Sequence, residues 1–236
     1  MTDTFCFKEF SVRHGNVGQK VTTDSVLLGA WIRSGSADVR NILDVGAGMG
    51  LLSLLMAQRF PVANIRGVEI EHDAVSECRY NFVQSPWSGR LEIEEADFRT
   101  WESLQKFDII LCNPPYFPAD VSCQTTRRTL ARHETWLNID NLIKKGCGLL
   151  NANGVIGLVC KSADRDRVML AASLAKLDSI VECRVVTVEG KSPELSMFRL
   201  KHDGESGCET LTLRKNNGMY TEDYINLTMP YYLFLH

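Results

Sequence analysis

Residues Asp44-Val45-Gly46-Ala47-Gly48-Met49-Gly50 constrain the fold of this chain more than any other segment. They close a β-type apolar run, 41–45 (NILDV), and lead into an apolar stretch, 51–59, that reads as a helix ended by Phe60-Pro61. A strand that turns through closely spaced glycines into a helix is a β-loop-α unit in which a ligand can approach the main chain. A dinucleotide loop wants G-x-G-x-x-G, whereas here the spacing is G-x-G-x-G with an acid two residues before the first glycine. That acid disfavours a pyrophosphate at the same spot. It suits the ammonium end of an amino-acid-bearing cofactor, reached directly or through water.

The alternation continues beyond the loop. Strands are expected at 64–70, 91–95 (near an edge), 107–112 and 154–160, with helices at about 72–83, 137–150 and 163–177. Three late strands follow, at 181–188, 195–201 and 209–215. Strands separated by helices imply an α/β fold with a parallel sheet, and the closing run of strands implies an antiparallel edge. Before the loop the pattern is weaker, with Thr23-Asp24-Ser25 as the cap of a short helix at 26–32 and a break at 34–36.

A chain of 236 residues is long enough to bury the core of one large domain. The net charge of −3 does not mark a general nucleic-acid binder, so any phosphate contact needs a local basic patch. No apolar stretch approaches the length of a membrane span and no signal peptide is evident, so a cytoplasmic protein is expected. The eight cysteines are scattered without a close pair, which predicts reduced thiols and no metal site.

A second motif supplies chemistry. Asn113-Pro114-Pro115-Tyr116 closes the fourth strand. An asparagine oxygen, a proline carbonyl and an aromatic ring form a clamp for a flat amide or amine, and the residues alone leave both targets open. The exocyclic amine of adenine is a poor nucleophile because its lone pair is delocalised into the ring. Two acceptors, Asn113 Oδ1 and the Pro114 carbonyl, can hold its two N–H groups and favour the pyramidal geometry that frees the lone pair, while Tyr116 stacks on the ring. Glu69 ends the second strand, where an acid can accept both hydroxyls of a ribose. Asp97 follows the third strand, placed to accept from an adenine amine, with Phe98 or Ile70 against the ring.

This combination resembles the S-adenosylmethionine-binding half of the class I methyltransferases, a Rossmann-like, mostly parallel seven-stranded sheet with helices on both faces and an antiparallel edge. A closer resemblance lies in Lys20-Val21-Thr22-Thr23-Asp24, Leu27-Leu28-Gly29-Ala30-Trp31, the glycine loop, Met56-Ala57-Gln58-Arg59, Asn81 with Ser85-Pro86-Trp87, Asn113 to Phe117 and Ala131-Arg132-His133-Glu134. In order and content these are similar to the bacterial valine-tRNA adenine-37 N6-methyltransferases. Met49 departs from the pattern, since a threonine is expected there.

The resemblance implies methylation of the exocyclic nitrogen of adenosine 37 in a valine tRNA, with the target base flipped out of its stack. It implies that Asp44, Gly46, Gly48, Gly50, Glu69, Ile70, Asp97, Phe98 and Asn113 bind the cofactor. Lys20, Thr22 and Asp24 would close its pocket, although Asp24 reads nearly as well as a helix cap. Arg127, Arg128, Arg132 and His133 would meet phosphates. The expected organisation is an N-terminal segment (1–34), a methyltransferase core (35–201) and a C-terminal strand extension (202–236), acting as a monomer. Two alternatives remain at this level: glutamine N5-methylation of a protein, which uses the same clamp but calls for an N-terminal recognition domain, and a non-catalytic RNA-binding module of the same fold.

Overall fold

A computed structural model describes residues 4–14, 21–114 and 138–233. The chain opens with a two-stranded antiparallel hairpin, β1 (Thr4–Cys6) and β2 (Ser11–Arg13), followed by helix α1 (Thr23–Trp31). The sequence pattern missed the hairpin because its strands are only three residues long. Its aromatic residues do the anchoring: Phe7 stacks on Phe10 at 4.6 Å and on Tyr232 at 5.8 Å. The cap of α1 is Thr22, whose hydroxyl accepts from Ser25 N at 3.4 Å; Asp24 lies in the first turn, where a carboxylate complements the helix dipole.

The alternating core then runs β3 (Asn41–Val45), α2 (Leu51–Arg59), β4 (Asn64–Glu69), α3 (His72–Gln84), β5 (Leu91–Glu95) and β6 (Phe107–Cys112). It resumes with α4 (Ile139–Leu149), β7 (Leu150–Lys161), α5 (Arg165–Leu174), β8 (Ser179–Val188), β9 (Leu195–Lys201), β10 (Gly207–Arg214) and α6 (Glu222–Thr228). The strands from β3 onward share one eight-stranded sheet, ordered β10-β8-β9-β7-β6-β3-β4-β5.

Strands β3 to β10 fall where the alternation and the late strand run anticipate them, and β10 makes the sheet eight-stranded rather than seven-stranded. The reversal of direction is not at the edge as the sequence pattern suggested. β9 is the antiparallel strand and lies between β7 and β8, while the outermost strand, β10, pairs parallel to β8. The short link between β8 and β9 forces an antiparallel pair. The second short link, across the start of β8, then returns the chain in the original direction, with Ser206 Oγ accepting from Ile180 N at 3.0 Å and Ser179 Oγ donating to Glu205 O at 2.9 Å.

Period-2 alternation divides the sheet residues between two cores. Ile42, Ile109, Leu111, Val155 and Val159 face α1, α2, the hairpin and Tyr224 of α6. Leu43, Val45, Ile110, Cys112, Ile156 and Leu158 face α4 and α5. Helix α1 comes close to the sheet at Gly157, where a Cβ would sit 2.5 Å from Ile32 Cδ1. The C-terminal helix α6, which the pattern did not anticipate, is capped by Thr221, whose hydroxyl accepts from Tyr224 N. Among the described residues no helix is long and apolar enough to cross a membrane, and no cluster of His, Cys, Asp or Glu could hold a metal ion. The seven cysteines among those residues are all free thiols.

Candidate active site

The strand order reverses beside β3: the chain builds outward through β4 and β5, then returns to place β6 on the other side. In an open parallel sheet the loops after two such strands diverge, leaving a crevice at their carboxyl ends. Both motifs meet there. The glycine loop follows β3, Asn113 and Pro114 follow β6, and Thr22, Ser25, Gly46, Ala47, Met49, Leu51, Leu52 and Asn113 line one cavity.

The loop holds its shape through its own hydrogen bonds. Gly46 N and Ala47 N donate to Val68 O (2.8 and 3.3 Å), Gly48 N to Glu69 Oε2 (2.9 Å), and Gly50 N to Ala47 O (2.8 Å). Gly50 requires glycine twice over: its φ is +87°, and a Cβ would lie 2.5 Å from Phe82 Cε1 and 2.8 Å from Cys78 Sγ. Asn81 of α3 steadies the loop from outside. Its Nδ2 donates to Met49 O at 2.9 Å and to Arg13 O at 3.1 Å, and its Oδ1 accepts from Arg13 N. The hairpin and the loop are thus fastened to one buried amide, with Arg13 also paired to Glu77.

Asp44 is fully buried at the end of β3. Its Oδ2 accepts from Ser53 N (3.0 Å) and Ser53 Oγ (2.7 Å), which ties the first turn of α2 to the strand, while its Oδ1 has no partner. Burial pushes its pKa up to about 6 against those two hydrogen bonds, and the Glu69 carboxylate adds to the rise. Asn113 Oδ1 is likewise buried without a partner, whereas Asn113 Nδ2 donates to Ser25 Oγ at 2.8 Å. Two orphaned acceptors at adjacent strand ends call for a ligand rich in N–H donors or positive charge. The ammonium and sulfonium of S-adenosylmethionine and an adenine amine fit that demand.

Glu69 is held firmly: Oε1 accepts from Ile70 N (2.8 Å) and Glu71 N (3.0 Å), and Oε2 from Gly48 N. A carboxylate has about four acceptor positions, which leaves one, on Oε2, for a ribose hydroxyl. Asp97 is engaged by the Arg99 guanidinium at 2.6–3.0 Å and accepts from Arg99 N at 2.9 Å. Those bonds hold its carboxyl below the usual range. Phe98 packs with Trp101 in the core at 6.1 Å, while Ile70 is 49% exposed. Lys20, Tyr116, Arg127, Arg128, Arg132 and His133 lie outside the described residues. Sequence reasoning assigned no site role to Ser25 or Asn81; both contacts join segments far apart in the chain, and no local pattern signals them.

A larger open groove, about 490 Å³, runs along the edge strand β5 between Arg66, Arg79, Phe82, Val83, Leu91 and Ile93. Arg66 there is paired with Glu92 at 3.1 Å. None of the buried, unpartnered side-chain atoms among the described residues belongs to that groove's lining. The smaller crevice, by contrast, is lined by Asn113, whose Oδ1 is one of those atoms.

Fold and crevice together define a class I methyltransferase. A solved structure of a predicted O-methyltransferase from Agrobacterium tumefaciens aligns with 88% of this chain and 96% of its own, at a TM-score of 0.68 and 16% identity, which is a likeness of fold. Residues 19–188 match the family model of the methyltransferase small domain, and the chain belongs to that family and, within it, to the group of tRNA1(Val) (adenine(37)-N6)-methyltransferases. The relative of that name from Bacteroides thetaiotaomicron is 39% identical over 98% of both chains. The one from Aliivibrio fischeri is 38% identical over 99% of both.

Proposed function

We propose that this protein methylates the exocyclic N6 of adenosine 37 in the anticodon loop of a valine tRNA, using S-adenosylmethionine. The observation that carries the reading is the buried, unpartnered Oδ1 of Asn113 beside the glycine loop. The relatives' shared name supports the choice of a valine-tRNA adenine, because the clamp itself fits a glutamine amide equally well.

In this reading the glycine loop, Asp44 and Glu69 hold the cofactor. The buried negative charge of Asp44 faces its positive end, and the spare position on Glu69 Oε2 takes a ribose hydroxyl. Ile70, being exposed, covers the adenine ring in place of the buried Phe98. S-adenosylmethionine supplies an electrophilic methyl group on a sulfonium.

Asn113 Oδ1 and the Pro114 carbonyl accept the two N–H groups of the target amine and turn its lone pair out of conjugation. Tyr116 stacks on the flipped base, and Lys20 with Thr22 and Asp24 closes the pocket. Arg127, Arg128, Arg132 and His133 hold the RNA backbone. Catalysis is orientation and charge placement, with no strong base needed, since the methylated amine sheds its proton readily.

The test is methyl transfer in vitro to an unmodified valine tRNA transcript and to the same transcript with guanosine at position 37. The reading expects incorporation into the first alone. Equal labelling of both transcripts, or labelling of a protein glutamine instead, would overturn it.

A further inference from the structure

The side chain of Asn113 is held by a helix residue that lies 88 positions earlier in the chain. Its Nδ2 donates to Ser25 Oγ at 2.8 Å and lies 3.5 Å from Thr22 Oγ1. Ser25 sits in the first turn of α1 and is 9% exposed. Its Oγ also accepts from Thr22 Oγ1 at 3.3 Å, and its own N–H donates back to Thr22 Oγ1 at 3.4 Å. The first turn of α1 therefore offers a small, fixed cluster of hydroxyls, anchored by the buried Val26, Leu27 and Leu28 that follow.

An amide has two unlike edges, one of donors and one an acceptor. With Nδ2 committed to the hydroxyls, Oδ1 is the free edge, and it is the buried, unpartnered atom. An amide turned over would set N–H against the N–H of an incoming amine, donor against donor. An amide free to rotate would lose the fixed direction that the clamp depends on, and a small misplacement of a reacting group is costly in rate.

We propose that Ser25 is a positioning residue for the methyl-transfer reaction: its hydroxyl holds the Asn113 amide so that Oδ1 is presented to the target amine. The inference deepens the proposed function and rests on it for the nature of the amine. Thr22, at the longer distance, is the secondary support. Ser25 touches neither reacting atom in this scheme and acts through Asn113.

The test uses the full chain with Ser25→Ala, Ser25→Thr, Asn113→Ala and the Ser25→Ala/Asn113→Ala double variant. Alanine is smaller than serine and favours helix, so Ser25→Ala keeps the fold, which a melting curve verifies. The first readout needs no substrate. The ¹⁵N side-chain amide signal of Asn113, assigned by its loss in Asn113→Ala, is expected to shift and exchange faster with solvent in Ser25→Ala and to recover in Ser25→Thr. An Asn113 signal indifferent to Ser25→Ala overturns the proposal whether or not the tRNA reading holds; failure of that reading shows separately, as no transfer by the unaltered protein.

The second readout is turnover on valine tRNA. Ser25→Ala is expected to lower kcat about tenfold, the effect of losing one orienting hydrogen bond, with S-adenosylhomocysteine affinity unchanged. Ser25→Thr should restore most of it, and the double variant should be no slower than Asn113→Ala. Losses that multiply in the double variant, or an unchanged kcat in Ser25→Ala, would overturn the role.

Discussion

Asp44 offers a substitution that should strengthen the ligand-free fold while weakening the site. Burial lifts its pKa from 3.8 to about 6. That gap, at about 1.4 kcal/mol per pH unit, corresponds to about 3 kcal/mol. The sign follows from linkage: a carboxyl with a raised folded-state pKa favours the native state while protonated. That contribution is complete below pH 3.8 and is lost as pH rises through about 6. Above that range the ligand-free protein carries a buried, half-partnered carboxylate. The side-chain amide of the Asp44→Asn variant cannot ionise, keeps an oxygen for Ser53 and avoids the penalty. In a chain of this size the difference in Tm between Asp44→Asn and the unaltered protein should climb by up to about 6–12 °C between pH 4 and pH 7 and then level off. Other titrating groups are common to both proteins and cancel. Differential scanning fluorimetry across that pH range reads the difference directly, and titration of S-adenosylhomocysteine by calorimetry should show weakened binding by the variant. A Tm difference that does not change with pH would refute the buried-charge argument, and undiminished binding by Asp44→Asn would refute the ligand role.

Asn113→Ala should lower kcat about 10²–10³-fold, as loss of a preorganised polar contact does, with a far smaller loss of S-adenosylhomocysteine affinity; near-normal turnover would remove Asn113 from the clamp. Two of the three loop glycines, Gly46 and Gly50, should separate sterics from backbone strain. Gly50→Ala meets both a positive φ and the Phe82 ring at 2.5 Å, so it should cost several kcal/mol in urea unfolding, whereas Gly46→Ala, with φ +70° but open space around its Cβ, should cost about 1 kcal/mol. Equal costs at the two positions would contradict the packing described for α3 against the loop.

The unit β3-loop-α2 was legible in the sequence because strand run, glycine spacing and helix stop are all local, and α2 falls on Leu51–Arg59 as anticipated. The interior position of β9 was not legible, since strand order depends on which edge accepts the hairpin and no residue pattern within β8 or β9 encodes it. Asp97 illustrates another limit. Its position after β5 was plain, but its engagement by Arg99, two residues on, depends on the turn that folds the guanidinium back. The contact of Ser25 with Asn113 joins the first turn of α1 to the end of β6, and the packing of α1 on α2 and on β7 at Gly157 brings them together.

The central claim is that this protein places a methyl group on N6 of adenosine 37 in valine tRNA. Deleting its gene and measuring modified nucleosides at position 37 of purified tRNAs by mass spectrometry tests it most directly. The account predicts that N6-methyladenosine disappears from valine tRNA in the deletion strain and returns with the intact gene but not with Asn113→Ala. Unchanged N6-methyladenosine at position 37 in every tRNA of the deletion strain would contradict it.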